Sequence, residues 1–170
     1  MKTIKFLLIM SVISLLFSPT LMAQAKKKAN KDTQIWRYEV EGVKQGVQGT
    51  YLVKVWSYSK KPEVAIEQAK KNAVHGIIFR GFAGSVQQRP LTNNVNLENE
   101  KEDFFKDFFK DGGRYMKYIN VSGDGTVSSK DKIKVSKKEW KIGVVVSVNQ
   151  ALLRKDLESA GIIKSLDAGF

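Results

Sequence analysis

The sequence predicts an α+β fold, with an antiparallel or mixed sheet of about four strands and helices mainly on one face, in the order β-β-α-α-β-β-α. Three observations predict it. The first is a strand pattern followed at once by a helix with a stripe of small residues, within residues 50–84. The second is the valine-rich alternation of residues 140–148. The third is the grouping of these patterns: strand pairs flank the helical stretches instead of alternating with them.

Residues 1–25 read as an export signal. Lys2 and Lys5 supply a positive start, and residues 6–17 are apolar apart from Ser11 and Ser14. Pro19 ends the run, and Ala23-Gln24-Ala25 fits a small-x-small cleavage site. A membrane anchor is the competing reading, but the run falls short of the about 20 apolar residues a span needs. Cleavage would leave no transmembrane anchor and would remove 25 of 170 residues, leaving 145, enough for one domain with a core. Residues 26–32 are a lysine-rich leader expected to be disordered, and residues 33–170 form the single α+β domain. The expected location is the periplasm or the exterior of a bacterial cell. The sequence has no cysteine, which excludes disulfides, thiolate metal sites and the acylated cysteine of a bacterial lipoprotein. Loss of Lys2 and Lys5 takes the net charge from +12 to +10. In an exported chain that balance suits lipopolysaccharide, phospholipid head groups or acidic protein partners, and it also serves solubility.

The elements follow in order. Residues 33–41 alternate as a half-buried strand, with Trp36, Tyr38 and Val40 on one face and Ile35, Arg37 and Glu39 on the other. Gly42, Gly46 and Gly49 form a long flexible connection into residues 51–58, an antiparallel partner with Tyr51, Val53, Val55 and Ser57 on one side. Pro62 suits the first position of a helix over 62–79, and Glu63 complements its dipole. Ala65, Ala69, Ala73 and Gly76 line one face of that helix, so its backbone can approach a sheet, with Ile66, Val74 and Ile77 beside them. Glu67 and Lys71 form an i,i+4 pair on its exposed face, and Gly81 stops it. Residues 85–96 read as loop and 97–111 as a second helix, stopped by Gly112-Gly113. Periodicity leaves residues 114–121 open between a short helix and a strand. Ser122-Gly-Asp-Gly125 is a turn, and the next strand places Ile133 and Val135 inward with Lys130, Lys132 and Lys134 outward. After a turn at 136–139, residues 140–148 form the clearest strand, and Val145 on its other face suggests cover on both sides. Asn149 caps a last helix over 150–160, with Leu153, Leu157 and Ala160 inward. Gly161 ends it, and Ile162, Ile163 and Leu166 tuck in from the tail.

Three stretches together resemble a known domain type: the alanine-rich helix from Glu63 to Ala73, the strand Ile142 to Val148 and the closing Leu152-Leu-Arg-Lys-Asp-Leu157. They look like the small α+β envelope domain typified by the N-terminal domain of flagellar assembly protein T, shared by related surface lipoproteins. The resemblance spans residues 49–160. It implies an exported, non-enzymatic part of an envelope assembly and carries over no functional residue. The chain departs from the type by lacking the lipid-bearing cysteine and by carrying the phenylalanine-rich second helix.

Catalytic motifs are sparse. His75 is the only histidine, with nothing near it in sequence to complete a triad or a metal cage. No Gly-x-Ser-x-Gly elbow, phosphate-binding loop or EF-hand loop occurs. The carboxylates between Glu98 and Asp111 suit a glycosidase-type pair, but interleaved Lys101, Lys106 and Lys110 favour a solvated face. Two candidate contact sets remain. Lys130, Lys132, Lys134, Lys137, Lys138 and Lys141 form a basic ribbon suited to an anionic partner. Phe104, Phe105, Phe108 and Phe109 form an aromatic face, whose default is core packing and whose alternative is an apolar partner contact. The expected function is therefore an exported envelope binding or assembly module, without catalysis or cofactor, on an envelope protein or anionic envelope surface. A carboxylate-dependent envelope hydrolase is the alternative. Nucleic-acid binding through the lysines ranks last, because only Trp140 lies beside them.

Overall fold

A computed structural model describes residues 36–121 and 127–165, with 23, 24, 27, 28 and 31 before them. The expected signal (residues 23 and 24 apart), most of the leader, Ile35, the turn Ser122–Gly125 and Leu166 lie outside the described residues.

The fold is α+β, built on one mixed sheet. Its elements are β1 (Tyr38–Gln45), β2 (Thr50–Ser59), α1 (Pro62–Phe79), β3 (Ala83–Gly84), α2 (Leu97–Glu100) and α3 (Glu102–Phe108). A 3₁₀ turn (Arg114–Tyr118), β4 (Ile119–Val121), a second 3₁₀ turn (Ser129–Asp131), β5 (Lys132–Ser136), β6 (Glu139–Asn149) and α4 (Gln150–Ser159) complete it. The strand order is β3-β1-β2-β6-β4, with β5 paired to the other half of β6, so the sheet has six strands, not about four. The two strands absent from the prediction are only two and three residues long, too short to carry a periodic signal. β3 pairs parallel to β1, which makes the sheet mixed.

The β1–β2 hairpin is antiparallel, as expected, but its connection is tight. β1 runs on through Gly42 to Gln45 with a bulge between Gly42 and Lys44. Gln48 and Gly49 both take positive φ, the Gly46 amide donates to the Thr50 carbonyl at 2.7 Å and the Thr50 amide donates to the Val47 carbonyl at 3.1 Å. α1 has the predicted bounds, with Pro62 in its first turn and Glu63 beside it. Ala65, Ala69 and Ala73 are fully buried, and a side chain at Gly76 would come within 2.8 Å of Val40. Small residues therefore let this helix lie on the strands. They face Val53 and Val55 of β2 and Val144, Val146 and Val148 of β6 in one apolar cluster. The expected Glu67–Lys71 pair is absent: Glu67 engages Lys70 at 2.6 Å, and Lys71 is buried.

The second helix breaks at Lys101 into α2 and α3, and residues 114–121 turn out to be a 3₁₀ turn that leads into a strand. Phe105, Phe108 and Phe109 enter the same core, against Tyr115 and Tyr118. α4 is capped by Asn149, whose side chain accepts from the Leu152 amide at 3.0 Å. Leu153 and Leu157 are buried, whereas Ala160 is exposed, because the helix has already left the core there. β6 is central, as Val145 suggested, yet the side chains of its second face are only half-buried, so cover there is partial.

Ile133 and Val135 are not inward. Every residue of β5 is exposed. The register explains it: Lys132 lies opposite Ile142 and Lys134 opposite Trp140, so these lysines occupy the face that α1 covers elsewhere. β5 extends beyond the covered area, and both its faces meet solvent.

Candidate functional site

Two places gather the chemistry of this chain: a cleft beside α1, and the β5–β6 hairpin.

The cleft is organised from Trp36, which leads into β1. Its backbone has φ 46°, a left-handed conformation that a bulky residue adopts only under restraint. The restraint is visible. The Trp36 ring stacks on His75 of α1, with centroids 3.7 Å apart, and its indole N–H donates to Glu98 of α2 at 3.0 Å. His75 Nε2 lies 3.2 Å from the other Glu98 oxygen, and His75 Nδ1 lies 2.5 Å from the Tyr38 hydroxyl. An ionised carboxylate only accepts, so Nε2 carries the hydrogen and Nδ1 accepts from Tyr38. The network is thus a neutral imidazole that joins β1, α1 and α2. Burial holds His75 below the ordinary imidazole range, against the opposing pull of Glu98. Burial works against ionisation of Glu98, yet hydrogen bonds from His75 and Trp36 and the nearby Arg80 leave it below the usual carboxylate range. Burial also pushes the Tyr38 phenol up, out of any physiological titration. Arg80 closes the cluster by donating to the Trp36 carbonyl at 2.9 Å and stacking on Tyr38. His75 therefore has partners after all. They come from residues 37 and 23 positions away, a separation that no spacing motif reveals.

Beside this network opens a cleft of about 730 Å³. Trp36, Phe105 and Phe109 form its apolar side, and Lys71 reaches it from α1. Glu98, Glu102 and Asp111 border it, interleaved with Lys106 and Lys110. Glu102 and Asp111 are exposed, as the solvated-face reading expects, and Glu98 is half-buried. Lys71 is a feature that sequence reasoning missed. Its side chain is only 4 % exposed, and its amine approaches the Tyr115 ring at 5.6 Å, with no hydrogen bond or ion pair among the described residues. Burial pushes its pKa down to about 8, partly offset by Asp111 and Glu67. Among the described residues no three His, Asp or Glu side chains gather closely enough to hold a metal ion.

Of the phenylalanine face, Phe105, Phe108 and Phe109 are buried, the core packing expected as the default from sequence, and the edges of Phe105 and Phe109 line the cleft. Phe104 is half-buried, stacked on Phe108, with the Arg114 guanidinium 4.6 Å from its ring.

The hairpin divides the basic ribbon. Lys132 and Lys134 share one face, and Lys134 lies 5.9 Å from the Trp140 ring. Lys130 sits in the 3₁₀ turn and Lys137 and Lys138 in the tip, all exposed. Lys141 belongs to the opposite face, where it bonds Glu39 at 2.6 Å and lies 5.3 Å from the Trp56 ring. It is a neutralised member of a sheet-face network and leaves the ribbon. The two carboxylates of the hairpin are also engaged elsewhere: Asp131 by Lys54 at 2.9 Å and Glu139 by Arg37 at 3.0 Å. Lys130, Lys132, Lys134, Lys137 and Lys138 have no ion-pair partner among the described residues. Ile133 and Val135, exposed at 45 % and 44 %, stand among them. No described helix is long and apolar enough to cross a membrane.

Comparison with protein-family models, with curated proteins and with solved structures found no match to this chain.

Proposed function

We propose that the protein is an exported binding module of the bacterial envelope, which seats its β5–β6 hairpin on an anionic, phosphate-bearing lipid surface without catalysing a reaction. One observation carries this reading: five lysines without ion-pair partners among the described residues surround the exposed Ile133 and Val135 on a strand with no covered face. Lysine on an edge strand protects against aggregation, and that alone would explain the charge. It does not explain two β-branched side chains left in solvent on the same strand. A charged interface does: apolar side chains enter the head-group boundary while each lysine near an anionic surface contributes about 1 kcal/mol. The export signal expected of residues 1–25 and the resemblance to an envelope domain, both read from sequence, suit the same setting.

The test is co-sedimentation with anionic phosphatidylglycerol vesicles and with neutral phosphatidylcholine vesicles. Binding to the anionic vesicles alone is expected, falling steeply as the Debye length drops from about 10 Å at 0.1 M salt to about 3 Å at 1 M. Lys130→Gln, Lys132→Gln and Lys134→Gln together should abolish most of it. Equal binding by the folded triple variant at every salt concentration, or binding to neither vesicle, overturns the proposal. Capture of an acidic protein without vesicle binding would replace lipid with that partner.

A second reading, a carboxylate-dependent hydrolase, draws on Glu98, Glu102 and Asp111 around one cleft. Against it, Glu98 is engaged by His75 and Trp36 and held ionised, the wrong state for a general acid. Turnover of an envelope glycan by purified protein, lost in Glu102→Gln, would establish it.

A further inference from the structure

Lys71 stands at an unusual place for a lysine. Its stem is enclosed between α1 and the aromatic residues of α3 and the 3₁₀ turn while its amine reaches the cleft, and no carboxylate lies within ion-pairing distance of the amine among the described residues. The nearest acid on its own helix, Glu67, is already held by Lys70 at 2.6 Å. An amine drawn partly out of water without an ion-pair partner loses hydration and gains little in return. Methionine or leucine would fill this position at lower cost, since its helix neighbours Val74 and Ile78 belong to a well-filled apolar interior. Enclosed polar groups that weaken a fold collect where a ligand completes them.

The cleft indicates which ligand. It is large enough for a small molecule, within the range of about 300–1,000 Å³ typical of ligand pockets. The amine calls for one negative charge. Trp36, Phe105 and Phe109 call for an apolar body. Glu98, Glu102 and Asp111 border the same space and offset Lys71, Lys106 and Lys110, and Lys110 is already held by Asp107 at 2.6 Å, so the lining carries no excess of positive charge for phosphates or dicarboxylates.

We propose that this cleft binds a small apolar monocarboxylate, aromatic or short-chain acyl, whose carboxylate pairs with the Lys71 ammonium while its apolar part rests on Trp36, Phe105 and Phe109. Such an anion supplies the missing partner of the amine. Burial alone lowers the pKa of Lys71, and a bound carboxylate opposes that shift, so binding and protonation of Lys71 reinforce each other.

The probe is 3-phenylpropionate, titrated into purified protein and followed by calorimetry and by chemical-shift changes of the Trp36 indole N–H. Saturable binding is expected, with 3-phenylpropionamide at least about tenfold weaker. Affinity should be level between about pH 6.5 and pH 8, where the amine and the probe carboxylate are both charged, and fall about tenfold per pH unit above that range. Lys71→Met should melt at or above the temperature of the parent and bind the carboxylate at least about tenfold more weakly. Equal binding of acid and amide, undiminished binding by Lys71→Met, or no saturation at millimolar probe each overturns the proposal. The acid–amide comparison and the pH series use the unaltered protein, so they decide the matter even if Lys71→Met fails to fold. None of these measurements depends on the hairpin or on vesicles, so this site and the lipid-binding reading stand or fall separately.

Discussion

His75 and Glu98 make the stability of this fold depend on pH in a direction that their geometry fixes. Burial lowers the folded-state pKa of His75 from its unfolded value near 6.5, and the network lowers that of Glu98 from near 4.5. Both groups bind protons more readily in the unfolded chain, so stability is full above about pH 6.5 and declines as pH falls, first through His75 and then through Glu98. The melting temperature should drop between about pH 7 and pH 5. A His75→Gln variant should melt lower throughout and lose that slope over the same interval. An unchanged slope would place the titrating group elsewhere. The residues of this network show where pattern reading stops. His75 reads as an ordinary helix residue, because its partners come from β1 and α2, at distances along the chain where no motif operates. Lys71 reads as solvent-facing for a related reason: a polar letter on a helix is assigned outward, and only the packed structure shows α3 and the 3₁₀ turn closing over it.

Among the elements, α1, β2 and β6 were legible because each carries a long periodic signal that agrees with its burial. The small-residue stripe of α1 makes a direct prediction. Ala69→Leu or Ala73→Leu should overpack the contact with the sheet and cost about 1–3 kcal/mol in chemical denaturation, since both sites are fully buried. An unchanged midpoint in both variants would contradict the helix–sheet contact. α3 makes a second, graded prediction. Phe108→Ala should cost about 3–5 kcal/mol, because it empties a site enclosed by Phe104, Phe105, Phe109 and Tyr118. Phe104→Ala should cost much less, since that ring is half in solvent. Equal costs would mean that the aromatic face is not the interior surface described. β5 departs from its sequence pattern for a physical reason. Alternation in a strand tells which residues share a face but not which face is covered. The apolar letters Ile133 and Val135 therefore read as inward. Register with β6 decides otherwise, and it places Lys132 and Lys134 on the side of Ile142 and Trp140.

In the molecule as a whole, the helices and one sheet face bury a single apolar cluster, and the hairpin extends past it. The fold thereby separates two tasks. The interior supplies stability and the Lys71 cleft, while β5 and the tip of its hairpin present charge and two apolar side chains to the surroundings. The α+β class followed from the grouping of strand and helix patterns. The placement of the basic ribbon did not, because Lys141 lies only three residues from Lys138 yet faces the other side of the sheet and is matched by Glu39. The central claim is that the hairpin is the surface that meets the envelope. Amide hydrogen exchange, followed residue by residue with and without anionic vesicles, tests it most directly. New protection confined to residues 130–138, and absent with neutral vesicles, is the predicted result. Protection that appears on the Trp56 face of the sheet or around α3 instead, with the hairpin amides exchanging as fast as in free protein, would contradict it.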